Sequence, residues 1–287
     1  MLNTKIRYPG GRKKALTFSF DDGLPADRRL VKLFDRFGFR GTFNLNSGMF
    51  SPEGTVYHDP RTLTRETMWQ RLTRWDAQAL FCGTAHEVAC HAARHGWLSS
   101  LPTEGILAEM VTDRLALEAD FGPFVQGMAY PYGAYSEKVA GVLAECGIVY
   151  GRTTVSTGRF DLPERFLMWH PTCSWREETF PALTEAFDKA EDGELFYIWG
   201  HSCELDVFDG WGTLETLGEK LGNRGGEIYY ATNGELYRYV TAFRALEQNL
   251  AHTALHNPTG TDVWFAHGGT EYCVPAGQTV QFDHSVG

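Results

Sequence analysis

The sequence predicts an α/β fold, a closed or nearly closed barrel of seven or eight strand–helix units with a small β appendage at its C-terminal end. Three observations predict it. Apolar runs of strand length alternate with helical stripes from residue 15 to about residue 247. Polar, chemistry-bearing residues follow four of the predicted strands directly, as they do at the mouth of a barrel. After about residue 250 the pattern changes to short extended runs between turn signals. The expected division is therefore a barrel over 1–250 and an appendage over 251–287.

In chain order, residues 15–20 place Leu16, Phe18 and Phe20 on one face of a strand. Pro25 opens a helix whose stripe is Leu30, Leu33, Phe34 and Phe37, and Gly38 closes it. Residues 40–45 form a second strand, 64–75 a helix, and 87–90 a strand ending at His91. Residues 103–120 form a helix with Ile106, Leu107, Met110 and Val111 inward, stopped by Gly122-Pro123. Strands are expected at 125–130, 148–153, 166–170, 195–200 and 227–231. The helices between and after them are 136–146, N-capped by Ser136, then 180–190, 213–221 and 235–247. The appendage reads as strands at 262–265 and 279–282, set off by Asn257-Pro258 and Gly268-Gly269.

Composition narrows the class of function. The 287 residues are 43% hydrophobic and 22% charged, an ordinary globular balance able to bury a full core. A formal charge of −10 without any Lys/Arg run argues against nucleic-acid binding. No stretch has the length of a membrane span, and the N-terminus lacks an apolar signal region, so a cytoplasmic location is expected. Six cysteines without a CxxC pair read mostly as buried thiols. Composition does not give the oligomeric state.

The candidate chemistry lies in four places. Asp21 and Asp22 stand at the end of the first strand, where two adjacent carboxylates repel each other unless a cation or a division of roles offsets the cost. His91 and His95 follow another strand at i, i+4, so a helical turn there points both imidazoles the same way. Two histidines and one carboxylate form an accepted catalytic Zn2+ set. Tyr130-Pro131-Tyr132-Gly133 follows the next strand, with Pro and Gly shaping a turn that can aim a backbone N–H into the mouth. His201 follows the buried 195–200 strand and suits a general acid. The alternative readings are a solvated Asp turn, surface or core histidines, and a plain βα turn. Aromatic side chains beside these motifs suit the apolar faces of a sugar ring, which makes Tyr130, Pro131, Trp169 and Trp199 the candidate substrate contacts. His86 is read as outside the cluster, and residues 229–233, after another strand, as a possible part of the mouth.

Residues 15 to about 205 resemble the polysaccharide deacetylases (carbohydrate esterase family 4, the NodB homology domain). The family's Thr-Phe-Asp-Asp motif appears as Ser19-Phe20-Asp21-Asp22, and its His-[Ser/Thr]-x-x-His motif as His91-Ala92-Ala93-Arg94-His95. Its Arg-x-Pro-Tyr-Gly motif appears as Ala129-Tyr130-Pro131-Tyr132-Gly133, and its late histidine as His201. The resemblance implies a distorted (β/α) barrel with one divalent metal, usually zinc, held by Asp22, His91 and His95. It implies that Asp21 is the base toward a metal-activated water, that the backbone N–H of Tyr132 helps stabilise the oxyanion, and that His201 protonates the leaving group.

Three departures accompany the resemblance. Ala92 replaces the hydroxyl of the His motif, so one loop hydrogen bond is missing. Ala129 replaces the Arg that pairs with the base, so Asp21 should be less acidic unless Arg152, Arg159 or another cation substitutes. The Asp-x-x-Asp-Trp motif that supports the late histidine has no counterpart, and the stretch from Met168 to Trp175 stands in its place without an Asp. His201 is therefore expected near its ordinary pKa unless Glu204 or Asp206 raises it. The expected activity is removal of acetyl from an amino sugar or short oligosaccharide. The rivals are hydrolysis of a non-sugar amide or ureide on the same barrel, and an inactive glycan-binding barrel.

Overall fold

The computed structural model describes residues 4–282, so the last five positions of the expected appendage, 283–287, lie outside the described residues. The chain runs β1 (Lys5–Arg7), β2 (Lys14–Asp21), α1 (Asp27–Phe37), β3 (Gly41–Leu45), α2 (Arg74–Phe81), β4 (Glu87–Cys90), α3 (Thr103–Phe121), β5 (Gly127–Ala129), α4 (Glu137–Glu145) and β6 (Tyr150–Arg152). It continues through β7 (Cys173–Ser174), α5 (Phe180–Lys189), β8 (Glu194–Gly200), α6 (Ser202–Val207), α7 (Trp211–Leu221), β9 (Ile228–Tyr230) and α8 (Asn233–Arg244). Five short strands follow: β10 (Glu247–Gln248), β11 (Ala254–His256), β12 (Val263–His267), β13 (Thr270–Val274) and β14 (Thr279–Gln281).

An eight-stranded parallel sheet forms the centre, ordered β6-β5-β4-β3-β2-β8-β7, with β9 joined to the start of β2. It curls into a distorted barrel. The segment between β6 and β8 links its edges: Trp169 pairs with Arg152 of β6, and Cys173–Ser174 pairs with Ile198–Trp199 of β8. All eight positions of β2 are buried. Leu16, Phe18 and Phe20 face the main core under α1, where Phe18 and Phe34 ring centroids are 4.5 Å apart. The alternate residues Thr17, Ser19 and Asp21 face the barrel interior, which is unusually polar. Asn44 Nδ2 donates to Ser19 Oγ and to Asp21 Oδ1, each at 2.8 Å.

The base of the barrel is closed by the start of α8. Asn233 is fully buried, accepts from Thr17 Oγ1 at 2.9 Å and donates to the Tyr197 hydroxyl, while Gly234 N donates to Glu87 Oε2 at 2.8 Å. The 229–233 stretch is thus at the opposite end from the mouth, because β9 pairs with Lys14–Leu16, the beginning of β2. Asn233→Ala should cost about 2–4 kcal/mol by leaving two buried groups without partners. Denaturant unfolding measures that loss, and an unchanged midpoint would show that the plug contributes nothing.

Other departures from the sequence reading have local causes. Residues 65–69 are turns, because the Thr64 and Thr67 hydroxyls bond nearby backbone N–H groups, and 70–73 are irregular; α2 starts only after Thr73, whose side chain caps Asp76 N. On α3 the inward stripe is Ile106, Met110, Asp113 and Leu117, whereas Leu107 and Val111 are exposed. Residues 166–168 form a 3-10 turn, and the strand of that region is the two-residue β7. β1 was not anticipated: it pairs antiparallel with β12, so the tail's sheet β1-β12-β13 is built from both ends of the chain. β10, β11 and β14 form a second small sheet. Three of the six cysteines are buried. No helix among the described residues is long and apolar enough to cross a membrane.

Candidate metal centre and active site

The C-terminal ends of the parallel strands surround one cavity of 760 Å³. Of the residues singled out in the sequence, Asp21, Asp22, His91, His95, Tyr130, Tyr132, Trp199 and His201 line it. Two do not. Trp169 is buried in the barrel's lower core, edge-on to Tyr197 at 4.7 Å, because its backbone pairs with β6 and turns the indole inward. Pro131 is also buried and serves the turn, its carbonyl accepting from Ala134 N at 3.0 Å. Neither is a wall of the cavity, so both leave the set of substrate contacts.

Asp22, His91 and His95 each offer a ligand atom, all within 4.8 Å of one another. His95 Nε2 lies 3.7 Å and His91 Nε2 3.9 Å from Asp22 Oδ1. The expected helical turn is absent. Ala92 and His95 instead take left-handed backbone conformations (φ 58° and 55°), and this tight loop brings the two rings to 4.7 Å. Asp22 has φ 86°, a strained value for a non-glycine residue, and lies where β2 ends against β3.

The donors fit a divalent cation. His91 Nδ1 lies 2.8 Å from the Ala129 carbonyl, a bond that fixes the ring with Nδ1 as donor and leaves the Nε2 lone pair facing the cluster. Burial pushes both imidazoles below their ordinary pKa, His95 to about 4 with help from its neighbour His91, so both are neutral near pH 7. A carboxylate and two neutral imidazoles suit Zn2+. His95→Ala should lose most of the bound metal while remaining folded, as read by elemental analysis and circular dichroism; full metal content would remove His95 from the ligand set.

Asp21 is the partner carboxylate. Burial opposes its ionisation, but the Arg152 guanidinium, bonded to both of its oxygens, and the nearby His91 and His201 outweigh it and hold the carboxyl at about 2. Arg152, at the end of β6, thus stands where Ala129 left no cation, and its guanidinium also lies 4.7 Å over the Trp199 ring. His201 Nε2 is 3.9 Å from Asp21 Oδ2 and from Asp22 Oδ2. Its Nδ1 lies 3.4 Å from Glu204 Oε2, and Glu204 is held in turn by Arg176 at 2.6 Å. Burial works against the imidazolium, but Glu204 and the two aspartates outweigh it, and the His201 pKa is raised. Glu204, at i+3 from His201 on α6, supplies the carboxylate that the missing Asp-x-x-Asp-Trp motif does not.

Several contributors had no motif. Asp113 on α3 accepts the backbone N–H of Ser47 at 2.8 Å and of His91 at 3.0 Å. Asn46 Nδ2 donates to the carbonyls of His91 and Ala92. Together they hold the loop for which Ala92 has no hydroxyl. Arg71, Trp69, Met49, Arg94 and Thr154 complete the wall, with Trp69 edge-on to His201 at 5.1 Å. His86 lies apart, bonded to Gly41 N and Asp35.

Residues 9–151 match the sequence model of the family described as Polysaccharide deacetylase. By that segment the chain belongs to the polysaccharide deacetylase family. One solved structure agrees on the fold. A putative polysaccharide deacetylase from Mycobacterium smegmatis is similar over 87% of this chain and 98% of its own, at 17% identity and a TM-score of 0.57. The match to a Streptococcus pyogenes deacetylase in complex with acetate spans 48% of this chain and 55% of that protein's length, with 16% identity and a TM-score of 0.41. A pseudoenzyme of carbohydrate esterase family 4 from Bacillus anthracis is similar over 78% of this chain and 66% of its own, with 16% identity and a TM-score of 0.49. No curated protein matches the chain.

Proposed function

We propose that this polysaccharide deacetylase family member is a metal-dependent hydrolase that removes acetyl groups from an acetylated amino sugar or short oligosaccharide. The observation that carries the reading is the convergence, in one cavity, of the Asp22-His91-His95 donor set with a carboxylate, Asp21, and an imidazole, His201, on its border. A divalent ion, most simply Zn2+, would supply Lewis acidity, polarising the acyl oxygen and acidifying a water. The chain's own residues supply the rest. Asp21 is ionised at every working pH and takes the proton of the attacking water. His201, whose imidazolium Glu204 favours, returns a proton to the departing amine or alkoxide. Tyr132, on a left-handed turn at the wall (φ 58°), presents its backbone N–H as the candidate oxyanion donor.

The cavity's 760 Å³ lies in the range of small-molecule sites, which favours a sugar unit or short oligomer. Tyr130, Trp199 and Trp69 offer it aromatic surface. The test is a substrate panel of N-acetylglucosamine oligomers, acetylated xylo-oligomers, allantoin and cyclic imides, with and without Zn2+. Acetate release from a saccharide supports the reading. Turnover of only the imides or allantoin replaces the substrate class, and binding without turnover supports an inactive glycan-binding barrel.

A further inference from the structure

Asp21 and Asp22 were expected to repel each other unless a cation or a division of roles offset the cost. Each has a buried arginine: Arg152 on Asp21, and Arg71 on Asp22, with Nη2 2.6 Å from Oδ1. Both members of the second pair are nearly inaccessible, with side chains 9% and 3% exposed. The oxygen that Arg71 holds is the one nearest His91 and His95. Arg71 is also fixed from behind. Its Nη1 donates to the Trp69 carbonyl at 2.7 Å, its own carbonyl accepts from Ser51 Oγ at 2.6 Å, and Leu72 N donates to Gly23 O at 2.7 Å. These bonds hold the guanidinium and the backbone behind it beside Asp22.

We propose that Arg71 is the built-in counter-ion of Asp22, a positioning residue that stabilises the metal-free site and weakens its hold on a divalent cation. This rests on the reading that Asp22, His91 and His95 hold the metal. A carboxylate oxygen has two lone pairs, so Oδ1 can accept from Arg71 and still ligate. Two costs nonetheless fall on binding. The ion shares an oxygen already neutralised by Arg71, and it sits within a few ångströms of a fixed positive charge in a desolvated place. Removing the charge leaves Asp22 buried without its cationic partner, which destabilises the empty site and raises its demand for an ion.

The experiment uses the full chain stripped by chelator, with Zn2+ and Co2+ affinities measured by chelator competition and melting temperatures taken with and without Zn2+. Arg71→Met removes charge and hydrogen bond; Arg71→Gln keeps a donor and removes only charge; Arg71→Lys keeps the charge. The two neutral variants should bind metal about 10- to 100-fold tighter, as expected for losing one nearby desolvated charge. They should melt lower without metal and show a larger rise on adding it, while Arg71→Lys stays close to wild type. If Arg71→Met does not fold, Arg71→Gln decides. Unchanged or weaker affinity in the neutral variants, with melting lowered equally with and without Zn2+, would overturn the proposal and leave Arg71 a structural residue. If the wild type binds no ion that His95→Ala abolishes, the site assignment itself is wrong and the proposal falls with it.

Discussion

Asp21→Asn should retain its metal and its fold while turnover falls by about two to four orders of magnitude, the range for loss of a general base. The side chain keeps its size and one oxygen, so Asn44 and Arg152 retain an acceptor. What is lost is the ability to take a proton. The effect should appear in kcat more than in KM, because Asp21 acts on the reacting water. The wild-type profile carries a matching signature. With Asp21 held at about 2, its protonation cannot produce an acid limb in the working range. The rate should stay level on the acid side until protons compete for His95, whose own value is about 4. An acid limb at or below about pH 4 should therefore coincide with metal loss, because a bound ion competes with the proton, and Asp21→Asn should share it. Metal lost from Asp21→Asn at neutral pH would make Asp21 a ligand.

His201→Ala should lose about two to four orders of magnitude on an amide substrate and much less on an activated ester, whose leaving group needs little protonation. Equal losses on both would mean that His201 holds substrate or structure and donates no proton. Glu204→Gln separates support from chemistry. His201's pKa is raised in the folded protein, so the imidazolium is fully present below the ordinary value near 6.5 and is lost as pH climbs through the raised one. A rate that needs the imidazolium falls along the same limb. Replacing Glu204 removes a principal cause of that raise, so the alkaline limb should move to lower pH. The same linkage means that this charge contributes stability below pH 6.5, which declines as pH rises through the raised value. An unmoved limb in Glu204→Gln would detach Glu204 from the acid.

What was legible in the sequence was whatever depends on neighbours along the chain. Asp21-Asp22, His91 with His95, the Tyr130–Gly133 turn and His201 each follow a strand, and parallel strands bring their C-terminal ends together. Alternation in β2 separated Phe18 and Phe20 from Ser19 and Asp21 without reference to any partner. The parts that failed depend on distance in space. Arg71 comes from a loop of turns after β3, and nothing in its neighbours points to Asp22. Asp113 looks like any polar residue of a surface helix until its stripe proves to be the buried one. Trp169 seemed a sugar contact because it is aromatic and near a His, but a single backbone pairing with β6 decides that it faces the core. Glu204 was named beside Asp206 as an acid that could raise His201, and the i,i+3 spacing on α6 places its carboxylate beside the ring. Arg152 was one of two arginines open as the substitute for position 129, and only the β5–β6 pairing selects it.

The most direct measurement is acetate release from an N-acetylated chito-oligosaccharide by metal-stripped protein as Zn2+ is added back in known equivalents. Activity that is absent without the ion, rises linearly and saturates at one equivalent per chain, in wild type and not in His95→Ala, is the predicted result. Acetate release that is undiminished in the stripped protein, or that persists in His95→Ala, would contradict a reaction centred on Asp22, His91 and His95.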